Sequence, residues 1–126
     1  EEDISQLAQA KGANVSGLEI VMKNLGHSCE DLDRFYLAGG FASHLDLDSA
    51  RRIGLIPDLP DEKITRIGNA AIEGATLALL STRRRLELEE TVSRIEHIEL
   101  ETDPDFFDHF VEGCQFKPIG AGESAT

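Results

Sequence analysis

Two short runs in this chain carry residue types suited to holding a sugar or a phosphate: Gly39-Gly40-Phe41-Ala42-Ser43 and Gly68-Asn69-Ala70-Ala71. Each follows a stretch that reads as a buried strand, residues 34–38 and residues 63–67. Each turn therefore sits at a strand's carboxyl end, where open parallel sheets bind ligands. Glycine there removes the Cβ and lets a ligand lie against bare main chain. The second turn also opens a helix, whose first amides point at the same crevice. A Gly-Gly pair alone is a weak signal. Two such turns at the ends of successive strands, with the apolar Ala/Gly-rich helix over residues 70–81 behind them, are more specific.

Other residue types that could do chemistry are less well arranged. Ser43-His44 with Asp46 invites a hydrolytic reading, but neighbours in sequence rarely point at one another as a triad must. His27 near Cys29, and His109 before Cys114, lack the CxxC or HxxxH spacing of a metal site. Two unclustered thiols cannot supply the four grouped ligands of an iron–sulfur cluster. They are expected to be reduced, partly buried and inert. Arg83-Arg84-Arg85 is placed as a cationic cap on the preceding helix's dipole, in preference to a nucleic-acid patch.

The elements that must position the glycine turns follow from periodicity. Ile4, Leu7, Lys11, Val15, Leu18, Met22 and Leu25 recur at helical spacing over residues 3–25, and Gly26 stops that helix. Gly12 and Gly17 interrupt it where another backbone or a ligand must approach; close helix packing is the preferred cause. Asp48 is expected to cap a short helix through Ala50, Arg51 and Arg52, closed by Gly54. The helix over 70–81 is apolar nearly all round and is expected to be central and buried. Leu88, Val92 and Ile95 mark one face of the next helix, and residues 97–101 alternate as a half-exposed strand should. Asp103-Pro104 reads as the cap and first turn of a helix whose Phe106, Phe107, Phe110 and Val111 form a packing ridge. No internal repeat is found. The alternation of helix and strand argues for an α/β layer with parallel strands, yet two buried strands are few for a free-standing α/β domain. Strands preceding Glu1 would resolve that shortage. The chain is accordingly read as a fragment, with a subdomain over 1–118 and a disordered tail over 119–126.

Composition bounds the partners. With 126 residues the chain is one domain's worth, and 40% hydrophobic with 29% charged residues is ordinary for a globular protein. No apolar run approaches a membrane span, and the acidic first residues are no signal peptide. A cytoplasmic location is expected. The formal net charge of −12 repels nucleic acid and anionic lipid, making both poor partners. It also repels ATP at long range, so phosphate contacts must come from local backbone amides or from elsewhere in a larger protein.

At this point the residues resemble a known family. Tyr36-Leu37-Ala38-Gly39-Gly40-Phe41-Ala42-Ser43 is similar to the adenosine motif of the acetate and sugar kinase, heat-shock chaperone and actin (ASKHA) superfamily. Gly68-Asn69-Ala70-Ala71-Ile72-Glu73-Gly74-Ala75 resembles that superfamily's last core helix. More narrowly, residues 37–81 resemble the C-terminal actin-like domain of the reductive activators of corrinoid proteins, most specifically in Ser49-Ala50-Arg51-Arg52-Ile53-Gly54-Leu55-Ile56-Pro57-Asp58-Leu59-Pro60. Ala10-Lys11-Gly12-Ala13 and Pro104-Asp105-Phe106 also fit, so that the resemblance spans roughly residues 3 to 118.

The resemblance implies a partial ribonuclease-H-like, actin-like ATPase subdomain whose parent carries an N-terminal 2Fe–2S domain, uses ATP with Mg²⁺, and dimerises. Such a parent drives electrons from its cluster onto a Co(II) corrinoid protein, restoring Co(I) for methyltransferase systems. The phosphate motifs and the cluster cysteines would lie outside this chain, leaving it neither an efficient ATPase nor an electron carrier. The resemblance assigns Gly39 and Gly40 to ribose and α-phosphate, Phe41, Ala42 and Ser43 to the adjoining wall, and Gly68 and Asn69 to the opposite side. Lys11, a charge on an apolar stripe, either faces the adenine side or snorkels at the core's edge; snorkelling is preferred. The rival functions are a small-molecule kinase, a 2-hydroxyacyl-CoA dehydratase activator, and a non-catalytic docking or dimerisation module. The dehydratase activator would need cluster cysteines at a dimer face, for which Cys29 and Cys114 stand in unsuitable contexts.

Overall fold

The computed structural model of the chain describes residues 1–119. Its elements run α1 (Glu2–Leu25), β1 (Phe35–Ala38), α2 (Gly40–Ser43), α3 (Leu47–Arg52), β2 (Ile64–Gly68), α4 (Ala70–Leu80), α5 (Thr82–Val92) and α6 (Phe106–Gly113). The tail expected at 119–126 falls, from residue 120 on, outside the described residues; Ile119 itself forms an isolated parallel bridge with Pro57.

β1 and β2 pair in parallel, and the chain crosses between them through α2 and α3, as parallel neighbours require. Phe35 lies opposite Ile64, Tyr36 opposite Thr65 and Leu37 opposite Arg66. The register then slips, so that Ala38 lies opposite Gly68. That irregularity brings the carboxyl ends of the two strands level, where both glycine turns begin.

The long α1 turns a buried stripe of Lys11, Gly12, Val15, Ser16, Ile20 and Met22 inward. It stops at Gly26, left-handed with φ 69°, whose amide donates to the Lys23 carbonyl at 3.0 Å. The largest helix–helix interface is between α1 and α6. At their crossing a Cβ on Gly12 would stand 2.7 Å from Cys114 Sγ and 2.9 Å from the Phe110 carbonyl oxygen. One on Gly113 would stand 3.1 Å from the Gly12 Cα. Close helix packing thus accounts for Gly12. The Lys23 ammonium pairs with Asp105 just before α6, and Phe106 stacks on Phe110 with centroids 6.2 Å apart. The apolar core joins Val15, Ile20 and Met22 of α1 to Ala42, Ala50, Ile56 and Leu59 of the crossover.

Several expectations are corrected. Asp46, not Asp48, caps α3: its Oδ1 accepts from the Ser49 amide at 2.8 Å, while Asp48 pairs with Arg51 at 2.9 Å. Residues 97–101 do not form a strand, because no described strand lies beside them to take up their main-chain groups; Leu100–Thr102 close a 3-10 turn. Pro104 precedes α6 instead of opening it, since Asp103 Oδ1 accepts from the Asp105 amide at 2.9 Å and makes a local turn first. Most consequentially, α4 is not buried: none of its residues is buried, and Ile72, Leu77, Leu79 and Leu80 are exposed. Among the described residues its main helix neighbour is α5, which cannot cover a helix apolar on every side. Of the expected cationic cap only Arg85 is in place, its guanidinium donating twice to the Ala78 carbonyl, at 3.1 and 3.0 Å, while Arg83 and Arg84 pair with Glu87 within α5.

Gly54 and Gly26 separate two costs of adding a methyl group. Both are left-handed, but a Cβ on Gly26 meets nothing within 4 Å, whereas one on Gly54 overlaps the Lys117 carbonyl oxygen. Gly26→Ala should cost about 1–2 kcal/mol from the backbone alone. Gly54→Ala should cost on the order of 1–3 kcal/mol more from overpacking; equal shifts in urea midpoint would contradict the close approach. The Asp46 cap gives a pH test. Hydrogen bonds from the Ser49 side chain and amide hold its carboxyl below the usual aspartate range. A depressed folded-state value stabilises above the unfolded value of about 3.9 and is lost as pH falls through the folded value. The stability advantage of the wild type over Asp46→Asn should therefore be full at neutral pH and close below about pH 4. A gap independent of pH would contradict it.

Candidate functional site

The two glycine turns meet. The Gly39 amide donates to the Gly68 carbonyl at 2.6 Å, tying the carboxyl end of β1 to that of β2. Both residues have positive φ, 97° at Gly39 and 57° at Gly68, conformations that side-chain-bearing residues rarely adopt. Among the described residues, a Cβ at Gly39, Gly40 or Gly68 would meet nothing within 4 Å. These glycines are therefore not there to let another part of the described chain pack close, as Gly12 is. They leave main chain open to whatever lies against the strand ends.

The neighbouring residues form the walls. Phe41 is 76% exposed, a large aromatic side chain held in the open, whereas Ala42 beside it is buried and anchors the turn to the core. Ser43 Oγ lies 3.5 Å from the Gly39 carbonyl and closes α2 on itself. Across the junction, Asn69 Oδ1 accepts from the Ile72 amide at 3.2 Å and its carbonyl accepts from Glu73, so Asn69 caps α4 and aims its first turn at the strand ends. Arg66 of β2 reaches back to the carbonyls of Ser43, at 3.2 Å, and of Leu45. By its sequence Arg66 is only one member of the strand over residues 63–67. No spacing rule would have marked it.

Gly39, Gly40, Phe41, Ala42, Ser43, Gly68 and Asn69 are thus brought together, and Lys11 is not among them. Lys11 is 1% exposed, so it does not snorkel into solvent at the core's edge. Its ammonium lies 5.9 Å from the centre of the Phe116 ring and borders a cleft of about 240 Å³ with His109, Glu112 and Lys117. Burial pushes its pKa below the ordinary lysine value, Cys114 acts in the opposite direction, and Lys117 lowers it further. The apolar stripe of α1 carries Lys11 under the C-terminal segment, away from the glycine turns.

The remaining candidates are absorbed locally. Ser43 and Asp46 are spent on α2 and the α3 cap, so they form no hydrolytic array with His44. Among the described residues no three His, Cys, Asp or Glu side chains gather as a metal site. Cys29 and Cys114 are free and half-buried. Burial, aided by Glu19, raises the Cys29 pKa and keeps it a thiol at neutral pH.

The chain is similar to several known proteins. Residues 1–123 match the family model described as the C-terminal domain of RACo, the ASKHA domain. The corrinoid activation enzyme RamQ of Eubacterium limosum is 33% identical over 117 residues, which are 92% of this chain and 20% of that protein. The [Co(II) methylated amine-specific corrinoid protein] reductase of Methanosarcina barkeri is 27% identical over 108 residues, 84% of this chain and 20% of that protein. A solved structure titled reductive activator for corrinoid, iron-sulfur protein superposes with a TM-score of 0.85 at 32% identity, covering 93% of this chain and 19% of that one. The chain spans about a fifth of the length of these relatives. By its residues and by its fold, it belongs to the family of RACo-type C-terminal ASKHA domains.

Proposed function

We propose that this chain supplies the adenosine-facing side of the nucleotide site in an ATP-dependent reductive activator that returns a Co(II) corrinoid protein to Co(I). The observation that carries this reading is the meeting of two strand ends at bare main chain, Gly39 bonded to Gly68 with no atom of the described residues within 4 Å of where a Cβ would stand on either. Ribose and α-phosphate would rest on Gly39 and Gly40, with the Phe41–Ser43 turn as one wall and Gly68–Asn69 as the other. The amide end of α4 supplies fixed positive potential to a chain whose net charge is otherwise strongly acidic.

The rest of the activity is assigned to the parent protein. A 2Fe–2S cluster takes four cysteine thiolates, and this chain holds two cysteines on separate elements, so the residues present do not fit the cluster. The γ-phosphate and Mg²⁺ contacts likewise belong outside it. The exposed apolar α4 and the two-stranded sheet are what one side of a two-sided ATP cleft would leave uncovered. A corrinoid protein as partner, a homodimeric parent and a cytoplasmic setting complete the proposal. The names of the relatives support the first of these.

Gly40 offers a sharper test than Gly39, because its φ is not positive and a side chain there enters open space. Gly40→Val in the full-length protein should leave the unfolding midpoint nearly unchanged and weaken binding of a fluorescent ATP analogue at least about tenfold, by filling the ribose position. Unchanged affinity would refute the adenosine role and favour a docking module.

A further inference from the structure

α2 is a single helical turn, and a helix that short does not hold itself. Its shape must be imposed from outside: buried Ala42 roots it in the core, and the hydrogen bonds that hold its two ends come from β2. At its leading end the Gly39 amide is bonded to the Gly68 carbonyl. At its trailing end the chain bends away after Ser43: the His44 amide turns back to Phe41 at 3.1 Å and the Leu45 amide to Ala42 at 3.4 Å. The Arg66 guanidinium donates to the Ser43 carbonyl through one nitrogen and to the Leu45 carbonyl through the other. One planar cation thus holds two carbonyls on either side of the bend, in the fork geometry that only arginine provides. A cation there also faces the negative end of the turn. Asp46, the next residue, caps α3.

We propose that Arg66 is a positioning residue for the nucleotide site. By clamping Ser43 and Leu45 to β2, it sets the angle at which the Gly39–Gly40–Phe41 main chain meets adenosine. This inference rests on the adenosine reading above. Arg66 contacts no ligand in this scheme; it acts through the turn. Ser43 is one helical turn from Gly39 and Leu45 lies just past it, so a change of tilt at the clamp displaces the bare main chain at the other end.

The test uses the full-length protein with Arg66→Gln, Arg66→Lys and Gly40→Val, titrated with a fluorescent ATP analogue, and with amide hydrogen exchange read residue by residue. Arg66→Gln should weaken binding about tenfold, the cost expected of misplacing a preorganised wall. Arg66→Lys keeps the charge but not the fork and should fall between Arg66→Gln and wild type. Exchange at residues 40–45 should quicken in Arg66→Gln while α1 and α6 stay protected. Combining Arg66→Gln with Gly40→Val should weaken binding no further than Gly40→Val alone. If Gly40→Val weakens binding while Arg66→Gln leaves affinity and exchange at 40–45 unchanged, the positioning role is overturned and the adenosine reading stands. Exchange quickening equally throughout the protein would reduce Arg66 to general stability and also overturn it. If Gly40→Val itself changes nothing, the adenosine reading fails first, and this inference with it.

Discussion

The hydrogen bond from the Gly39 amide to the Gly68 carbonyl is the constraint on which the candidate site depends. It joins two strand ends that would otherwise diverge with the sheet's twist, and it forms only because the register slips to set Ala38 against Gly68. Both residues it joins have positive φ, which disfavours Cβ atoms at the place where the turns meet. Asn69 fixes the direction of α4 from this junction, and Ala42 roots the opposite turn in the core.

A second set of glycines does different work in the same chain. Gly12 and Gly113 let α1 and α6 cross at near backbone contact, and Gly54 admits the carbonyl of Lys117. These contacts hold the C-terminal segment over Lys11 and tie α6 to the core, leaving the strand ends on the other elements free. The distinction between a glycine that admits protein and one that admits nothing separates the packing positions from the candidate binding positions.

Much of this was legible in the sequence, for identifiable reasons. The strands, the turns after them, α1 with its Gly26 stop and the cationic cap after α4 are set by local chemistry, which periodicity and capping rules detect. Most of the failures concern what lies beside an element. Alternation over residues 97–101 has no neighbouring strand to pair with, and the all-apolar α4 has no partner layer among the described residues. A hydrophobic pattern states what a segment needs, and only the surrounding chain supplies it. Lys11 was misplaced for a related reason: its position on the apolar stripe was plain, but the Phe116 segment that covers it lies more than a hundred residues away. Asp46 and Asp48 are two residues apart, and the choice of cap between them fell to a side-chain geometry that spacing does not encode.

The most direct measurement is a crystal structure of the full-length parent with a non-hydrolysable ATP analogue. The account predicts adenosine lying across the junction of the two strands, its ribose against the main chain of Gly39 and Gly40 and its far side facing Gly68 and Asn69. An analogue bound elsewhere, with side chains of the parent closing over that junction, would contradict it.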